Sequence, residues 1–381
     1  MSIELGEIRQ AVRELCASFP DGYWRDLEPE GYPDEFVNAL TENGWLGALI
    51  PEEYGGAGLN LTQASVVLEE INASGGNSGA CHAQMYIMGT VLRHGSEAQK
   101  QQYLPRIASG ELRLQAFAVT EPNVGSDTTK IQTFAEKVDG GYVVRGQKVW
   151  TSRAEHSDLM LLLARTTPID QVEKKVDGLS TFIVDIKAAG DKLKITPIKT
   201  MMNHATTEVF LEGVELPESA LVGEEGKGFR YILDGMNAER VLIAAECIGD
   251  GRWFIDRAIK YSSERVVFGR PIGANQGVQF PIAKAYAAIE AADLMRFKAA
   301  ALFDEGRSIG PEANLAKYLA SEASWEAANA CLDTHGGFGF AAEYDVERKF
   351  RETRLYRVAP VSNNLVLAYL GQHVLGMPRS Y

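Results

Sequence analysis

The pattern of hydrophobic and polar positions divides the chain into three stretches. In the first, apolar residues recur at three- and four-residue steps in "PDEFVNALTENGWLGALI" and "LTQASVVLEEINAS", which predicts amphipathic helices. "SEAQKQQYLPRIASGE" adds a third helix with a Ser cap and a Gly stop. A Pro/Gly-rich loop, "PEEYGGAGLN", separates the first two. These signals predict a helical domain over residues 1–115.

The second stretch has the shorter repeats of a sheet. "TFAEKVDGGYVVRGQKVWTS" predicts a hairpin, and "DLMLLLART", "STFIVDI", "KITPIK" and "TEVFLEGVEL" follow as strand candidates at short spacing. From about Arg230 three long helical segments follow. We therefore expect a β domain over 116–228 and a helical domain over 229–381. The order of helices, sheet and helices favours an α+β fold with segregated layers over a βαβ sheet.

Composition narrows the classes of partner. The 381 residues are enough for two or three domains, and the net charge of −13 argues against nucleic acid and anionic membranes. An anionic ligand would need a local basic cluster or backbone N–H groups. The start, "MSIELGEIRQAVRELC", is amphipathic without the apolar core of a signal peptide, and no apolar run is long enough to span a bilayer. Four scattered cysteines are typical of reduced thiols, so we expect a cytoplasmic protein.

Three loops are candidates for ligand contact, each with a structural alternative. "TEPNVGSD" has open backbone N–H groups and hydroxyls, and is either a phosphate or cofactor loop or an inter-strand turn. "DTHGGFGF" permits close backbone approach at Gly336 and Gly337, but is also typical of a helix C-cap. "RVVFGRP" offers two arginines beside an aromatic residue, as a phosphate site or a solvated helix end. The residues alone leave these alternatives open.

One carboxylate lies on an otherwise apolar helix stripe. In "DGMNAERVLIAAEC", Glu239 has Met236, Leu242 and Ile243 as its three- and four-step neighbours. A buried carboxylate is costly unless it is paired or protonated. Glu239 is therefore either a functional group or a solvated helix position, and the periodicity does not decide between them.

Taken in order, six segments resemble the acyl-CoA dehydrogenase flavoprotein family, over nearly the whole chain. They are "NGWLGALIPEEYGGAGL", "AVTEPNVGSD", "KVWTSRAEHSD", "GVELPESALVGEEGKGF", "YSSERVVFGRPIGANQGVQF" and "DTHGGFGFAAEYDVERKFRE". Val124 departs from the family's small residue, and Asp333 stands where Gln is commoner. The resemblance implies an N-terminal helical domain, a middle β domain and a C-terminal four-helix bundle. It also implies non-covalent FAD, a homotetramer and an electron-transfer flavoprotein as electron acceptor.

The resemblance assigns ligand contacts residue by residue. Ser152 stands where the family has a Thr near flavin N5, and Trp150 is expected to pack on the flavin ring. The full set of expected FAD contacts is Phe117, Ala118, Val119, Thr120, Gly125, Ser126, Trp150, Thr151, Ser152, Arg265, Phe268, Gln276, Asp333, His335, Gly336, Gly337, Ser362 and Asn364. Of these, Arg265, Phe268, Gln276 and the loop 333–337 are expected to reach the FAD of a neighbouring subunit. The expected substrate contacts are Ser126, Asn237, Arg240 and Tyr86.

The catalytic base is displaced from its commonest family position. Pro360 stands where many members carry a Glu, and no carboxylate lies between Thr353 and the terminus. In the branch resembling isovaleryl-CoA and long-chain acyl-CoA dehydrogenases, the base precedes an Arg on a helix. "NAER" matches that arrangement, so the resemblance implies Glu239 as the base. Asn237 replaces an acidic residue of some members. Glu246 is the competitor, about 10 Å further along the helix.

These assignments lead to an expected reaction. Dehydrogenation of an acyl-CoA to 2,3-enoyl-CoA needs a carboxylate within about 2.6–3.2 Å of the α-proton and donors at the thioester oxygen. Burial against apolar groups is expected to make the carboxylate a stronger base. Two alternatives stay open: another flavin reaction on acyl-CoA (enoyl-CoA reduction, oxidase turnover or removal of a β-substituent), and a non-catalytic acyl-CoA-binding subunit. The stretch "GGNSGACHAQMYIMGTV" and the helix around Glu239 are expected to wall the acyl pocket, without fixing chain length.

Overall fold

The computed structural model describes residues 4–379, so the first three residues of the predicted amphipathic start lie outside it. Its α-helices are α1 (Leu5–Cys16), α2 (Asp21–Asp26), α3 (Asp34–Glu42), α4 (Leu61–Ala73), α5 (Gly79–His94), α6 (Glu97–Ala108), α7 (Ile186–Ala189), α8 (Gly228–Glu264), α9 (Gln276–Asp304), α10 (Gly310–His335), α11 (Val346–Arg354) and α12 (Asn363–Tyr369). Its strands are β1 (Leu114–Ala118), β2 (Phe134–Val138), β3 (Gly141–Ser152), β4 (Leu159–Arg165), β5 (Leu179–Asp185), β6 (Leu193–Pro197), β7 (Thr206–Pro217), β8 (Leu221–Val222), β9 (Val266–Val267) and β10 (Arg270–Pro271).

Contacts within the chain define two compact units. The first, called the helical unit below, comprises Met1–Pro29, Asn60–Ser78 and Asn237–Tyr381. The second, called the sheet unit, comprises Glu30–Leu59 and Gly79–Met236. The predicted α+β class with its helices, sheet and helices is confirmed by this element order. The first of the three long helical segments expected from about Arg230 is the single helix α8. Within residues 4–379, no helix combines the length and apolarity needed to cross a membrane.

The sheet unit is built on an eight-stranded mixed sheet. Its strand order is β6-β7-β3-β2-β4-β5-β8, with β1 added parallel to β4. The predicted hairpin forms as the antiparallel pair β2–β3, closed at Gly141 against Val138. Every residue of β4 is buried, as a continuous apolar run predicts. Phe182, Val144 and Val209 lie in the core that covers one face of this sheet.

The end of β3 carries a local irregularity that turns a side chain outward. The β3–β7 register shifts between Lys148 and Thr151, as in a β-bulge. Trp150 lies inside the shift with φ of +62°, a conformation that side-chain-bearing residues rarely adopt. Trp150 is consequently 59% exposed, whereas Val149 and Thr151 on either side are buried.

A buried ion pair ties the loop after β1 to β3. The Lys148 ammonium donates to the Glu121 carboxylate and to the Val119 carbonyl, each at 3.0 Å. Glu121 also accepts from the backbone N–H groups of Gln132 and Thr133, at 2.6 and 2.8 Å. Burial alone raises the pKa of Glu121, but Lys148 and these donors lower it overall. Burial lowers the pKa of Lys148 to about 8, although Glu121 opposes the shift.

The helical unit relies on glycine where α8 meets its neighbours. A Cβ at Gly249 would lie 2.3 Å from the Glu69 carbonyl oxygen on α4. A Cβ at Gly251 would lie 2.1 Å from Ile289 Cδ1 on α9. Both distances are shorter than van der Waals contact, so glycine at these positions allows α8 to approach two helices at once.

A network of buried charges joins four helices of the helical unit. Arg296 of α9 is fully buried and donates to Glu69 of α4 at 2.6 Å and to Ser65 of α4 at 2.8 Å. Arg9 of α1 donates to Glu69 at 2.7 Å. Arg252 of α8 also pairs with Glu69, and reaches Asp293 of α9 at 2.8 Å. Burial lowers the pKa of Arg296 to about 10 while Asp293 opposes the shift, so its guanidinium stays charged near neutral pH.

We predict that Arg296→Met destabilises the protein by about 3–5 kcal/mol, because it leaves Glu69 and Asp293 with less compensation for their burial. Urea unfolding followed by circular dichroism measures this loss. Lys298→Met is the matched control: Lys298 lies on the same helix but is exposed, 3.7 Å from Glu312. The control should lose less than about 1 kcal/mol. Equal losses in the two variants would contradict the role given to the network.

We predict a similar loss of about 3–5 kcal/mol for Lys148→Met, because the Glu121 carboxylate would stay buried without its cation. Replacing both partners, in Lys148→Met with Glu121→Gln, should recover part of that loss, since no charge is then left uncompensated. Lys137→Met, at an exposed ion pair with Glu225, is the control. Urea unfolding of the wild type, the two single variants Lys148→Met and Glu121→Gln, the double variant and the control decides the outcome. Strict additivity of the two substitutions at the pair would contradict the coupling.

Candidate active site

In the sheet unit, the residues expected at the flavin fall into one region. The loop after β1 is fastened to β3 by the bond from the Val149 N–H to the Thr120 carbonyl, 2.9 Å long. This bond brings Thr120 beside the bulge that exposes Trp150. Gly125 and Ser126 in the same loop are exposed, and a Cβ at Gly125 would meet nothing within 4 Å. The loop therefore leaves backbone free for a ligand, as the phosphate-loop alternative requires.

Several of the residues expected to contact FAD in this region are buried or half-buried, so only some of their atoms can reach a ligand. The side chains of Ala118 and Thr151 are fully buried, which leaves only their backbone groups for a ligand. Phe117, Val119 and Ser152 are half-buried. Tyr86 of α5 is also half-buried, and its ring meets the Phe117 ring edge-on at 5.7 Å. The expected substrate contact Tyr86 thus lies beside an expected flavin contact.

In the helical unit, Glu239 is buried, with 3% of the residue exposed. The solvated helix position that periodicity alone allowed is therefore excluded. Arg240, the next residue, donates to the Asn237 side chain at 2.9 Å, so these two expected substrate contacts hold one another. Burial lowers the pKa of Arg240, and Glu239 opposes that shift. Glu246, the competing carboxylate, is buried to the same extent.

A buried lysine that sequence reasoning missed lies close to this part of α8. Lys317 of α10 donates to the Asn363 side chain at 2.6 Å, and Asn363 donates in turn to Glu322 at 2.6 Å. Burial lowers the pKa of Lys317 to about 8, with Glu239 among the nearby charges. A periodicity signal was present: Ala313 and Ala320 flank Lys317 on one face of the helix.

The same network fixes the start of α12, where two expected FAD contacts lie. Ser362 caps this helix through the Leu365 N–H at 3.4 Å. Asn364 is exposed, whereas Asn363 between them faces Lys317. The segment that carries Pro360 in place of the commoner Glu is therefore held by polar contacts of its own.

The expected contacts to a neighbouring subunit are mostly exposed. Phe268, in the turn between β9 and β10, has φ of +52° and is 102% exposed. Arg265, Gln276 and Asp333 are also exposed. A Cβ at Gly336 or Gly337 would meet nothing within 4 Å.

His335 differs from the other residues of this set. Its ring is buried, stacks on Tyr261 at 4.2 Å, and donates through Nδ1 to the Cys331 carbonyl at 2.8 Å. Burial lowers the pKa of His335, so the ring is neutral near pH 7. His335 thus packs within its own unit while the adjacent glycines stay open.

These features meet two structural requirements of FAD binding. A planar aromatic cofactor needs exposed aromatic faces, and a diphosphate needs open backbone N–H groups. Within the sheet unit, Trp150 supplies the first and Gly125 the second. Within the helical unit, taken by itself, Phe268 supplies the first, and Gly336 and Gly337 supply the second. The residues present fit the cofactor. Among residues 4–379 no group of three or more His, Cys, Asp or Glu side chains is arranged to hold a metal ion.

Comparisons with known proteins agree with this fit. Family profiles for the N-terminal, middle and C-terminal domains of acyl-CoA dehydrogenase match residues 2–111, 116–214 and 226–374. The chain is 36% identical to acyl-CoA dehydrogenase FadE12 of Mycobacterium bovis, over 98% of each chain. It is 32% identical to a glutaryl-coenzyme A dehydrogenase solved with glutaryl-CoA, with a TM-score of 0.92 over 100% of this chain and 97% of that one. A structure reported for the electron transferring flavoprotein of Acidaminococcus fermentans matches at 28% identity, with a TM-score of 0.92 over 98% of each chain. The chain belongs to the acyl-CoA dehydrogenase family of flavoprotein oxidoreductases, and its cofactor is FAD.

Proposed function

We propose that this protein oxidises an acyl-CoA thioester to its 2,3-enoyl-CoA, with Glu239 as the group that removes the α-proton. The observation that carries the proposal is the burial of Glu239 on α8 directly before Arg240. Pro360 occupies the position where the base is commoner in the family, and proline has no proton-transfer chemistry. No Asp or Glu side chain follows Thr353 in the sequence.

The chain's own groups have separate tasks in this reaction. Glu239 accepts the α-proton, and the Asn237–Arg240 pair holds the polar groups beside it in place. Backbone N–H groups at the exposed Gly125 and Ser126, together with the side chain of Ser126, bind and orient the ligand. The exposed indole of Trp150 covers the flavin ring and excludes water from it. FAD, when bound, accepts the β-hydride at N5.

We propose the same assignment of FAD contacts that the family resemblance implies. The exposed Trp150 and Phe268 and the open backbone at three glycines support it. The buried ring of His335 is the weakest member of the set, because it already stacks on Tyr261. We also propose that an electron-transfer flavoprotein accepts the electrons.

The test of the base is anaerobic flavin absorbance during titration with a panel of acyl-CoAs. Glu239→Gln should keep its FAD and slow flavin bleaching by about 100- to 10,000-fold, because the general base is gone. Glu246→Gln, which changes the other buried carboxylate of the same helix, should bleach at close to the wild-type rate. Loss of bleaching only in Glu246→Gln would assign the base to Glu246.

Other outcomes of that titration select the alternative functions. If the wild-type protein binds FAD but none of the acyl-CoAs bleaches its flavin, a different flavin reaction or a binding role would be favoured. Rapid oxygen consumption by the reduced wild type would favour an oxidase over transfer to an electron-transfer flavoprotein.

We also propose a homotetramer, supported by apolar side chains on the outer faces of α8 and α9. Four of them, Ile259, Phe280, Tyr286 and Leu294, are half or more exposed. Tyr286 and Ile259 line an open groove of about 580 Å³ between the two helices. Exposed apolar patches of this kind are typical of interfaces.

Sedimentation velocity tests the homotetramer. Wild-type protein should sediment as a tetramer, and Tyr286→Glu with Leu294→Glu should shift it to smaller species, because a charge would be buried at the interface. Lys284→Gln, an exposed position on the same helix, should leave the sedimentation coefficient unchanged. A monomeric wild type at micromolar concentration would overturn the proposal.

A further inference from the structure

A cluster of three basic side chains lies inside the sheet unit where β3 ends. Arg153 directly follows Ser152, has φ of +59°, and is tied to the next loop by its N–H bond to the Ala205 carbonyl at 2.7 Å. Its guanidinium lies 3.3 Å from Nδ1 of His204. His82 of α5 is the third member, close enough to His204 to contribute to the lowered pKa of that ring. Arg153 and His82 are 7% and 6% exposed. We call these three residues the basic cluster.

The cluster presents hydrogen-bond donors. Burial first, and then Arg153 and His82, lower the pKa of His204 well below its usual value, so that ring is neutral near pH 7. An arginine can only donate, so Nδ1 of His204 accepts from Arg153. The hydrogen of the neutral ring is therefore on Nε2, a second donor beside a guanidinium with a fork of N–H groups. A guanidinium joined by a neutral donor is complementary to a carboxylate.

The basic cluster lies at one end of a row of side chains along one face of α5. His82, Tyr86 and Thr90 are spaced four residues apart and share that face, and the His82 and Tyr86 rings are 5.1 Å apart. Phe117 closes on Tyr86 from β1. At the other end, a Cβ at Gly235 would lie 3.4 Å from Thr90 Oγ1, so the start of α8 packs there. The row spans about 12 Å from Thr90 to His82 at helical rise.

We propose that the basic cluster binds a carboxylate at the far end of the acyl chain, so that the preferred substrates are ω-carboxylated acyl-CoA thioesters. The proposal rests on the proposed function in one respect, that the face of α5 around Tyr86 walls the acyl chain. Tyr86 and Phe117 then contact the methylene groups, and Arg153 with His204 contacts the carboxylate. An overall net charge of −13 makes such a local cationic site necessary for a second anionic group on the ligand.

The experiment compares matched pairs of CoA thioesters of short to medium length. In each pair one chain ends in a carboxylate and the other, of equal heavy-atom count, ends in an alkyl group. Affinity for the FAD-loaded enzyme is measured by calorimetry, and flavin bleaching is followed anaerobically with the same ligands. We expect wild type to bind the carboxylate-terminated member at least about 10-fold more tightly at the best length, as charge-assisted hydrogen bonds allow.

Variants separate a binding role from a structural one. Arg153→Met should weaken binding of the carboxylate-terminated member by about 10- to 100-fold. It should change the affinity for the alkyl-terminated member by less than about 3-fold. Arg153→Lys should restore part of the preference, since it keeps the charge but not the fork. Arg145→Met, an exposed arginine of β3, should behave as wild type. If Arg153→Met does not fold, His204→Phe tests the same preference by removing the second donor.

The outcomes are distinct for this proposal and for the proposed function. Wild type that binds alkyl-terminated chains as tightly as their carboxylate-terminated partners, or an Arg153→Met variant that weakens both equally, would overturn the carboxylate site. Bleaching by alkyl-terminated chains alone would leave the dehydrogenase function standing without this site. A carboxylate preference in calorimetry with no bleaching by any thioester would keep the site and remove the dehydrogenase function.

Discussion

The burial of charge around α8 is the constraint on which the helical unit depends. Glu69 accepts from arginines of three other helices, and Arg296 among them has no exposed surface. Removing one member of such a network leaves buried charge behind, whereas breaking one apolar contact costs only that contact. The network therefore fixes the packing of α8, and the glycines at 249 and 251 let the helix come close enough for its charges to meet their partners.

In the sheet unit the corresponding constraint is the Lys148–Glu121 pair. Lys148 lies at the register shift that turns Trp150 outward, and Glu121 lies in the loop that carries Gly125 and Ser126. One ion pair thus holds the exposed aromatic side chain and the open loop to the same strand end. A positive φ at Trp150 is unfavourable for a side-chain-bearing residue. Such a conformation persists only where the surrounding structure fixes it, and it is commonest at functional sites.

The sequence was sufficient to predict what depends on local pattern. Helical periodicity predicted α8 to α10, the hairpin signal predicted β2–β3, and the ordered motifs predicted the family. Periodicity could not separate a buried from a solvated Glu239, because the residues that surround it come from distant segments. The partners of Arg296 could not be predicted from local pattern either, because Ser65 and Glu69 are more than 200 residues away in the chain. His82, Arg153 and His204 form a cluster only through the fold, because they come from three separate segments of the chain.

The proposed role of Glu239 as a base is supported by two basic side chains of the helical unit, the buried Lys317 and the half-buried Arg240. Lys317 and Arg240 each have Glu239 among their charged neighbours, and burial, the larger effect, lowers the pKa of each. Nearby positive charge favours the ionised carboxylate, which is the form that accepts a proton. Once Glu239 is protonated, as in the proposed reaction, Lys317 and Arg240 each lose a compensating charge. In the proposed reaction, loss of the proton after product release restores this compensation for both side chains.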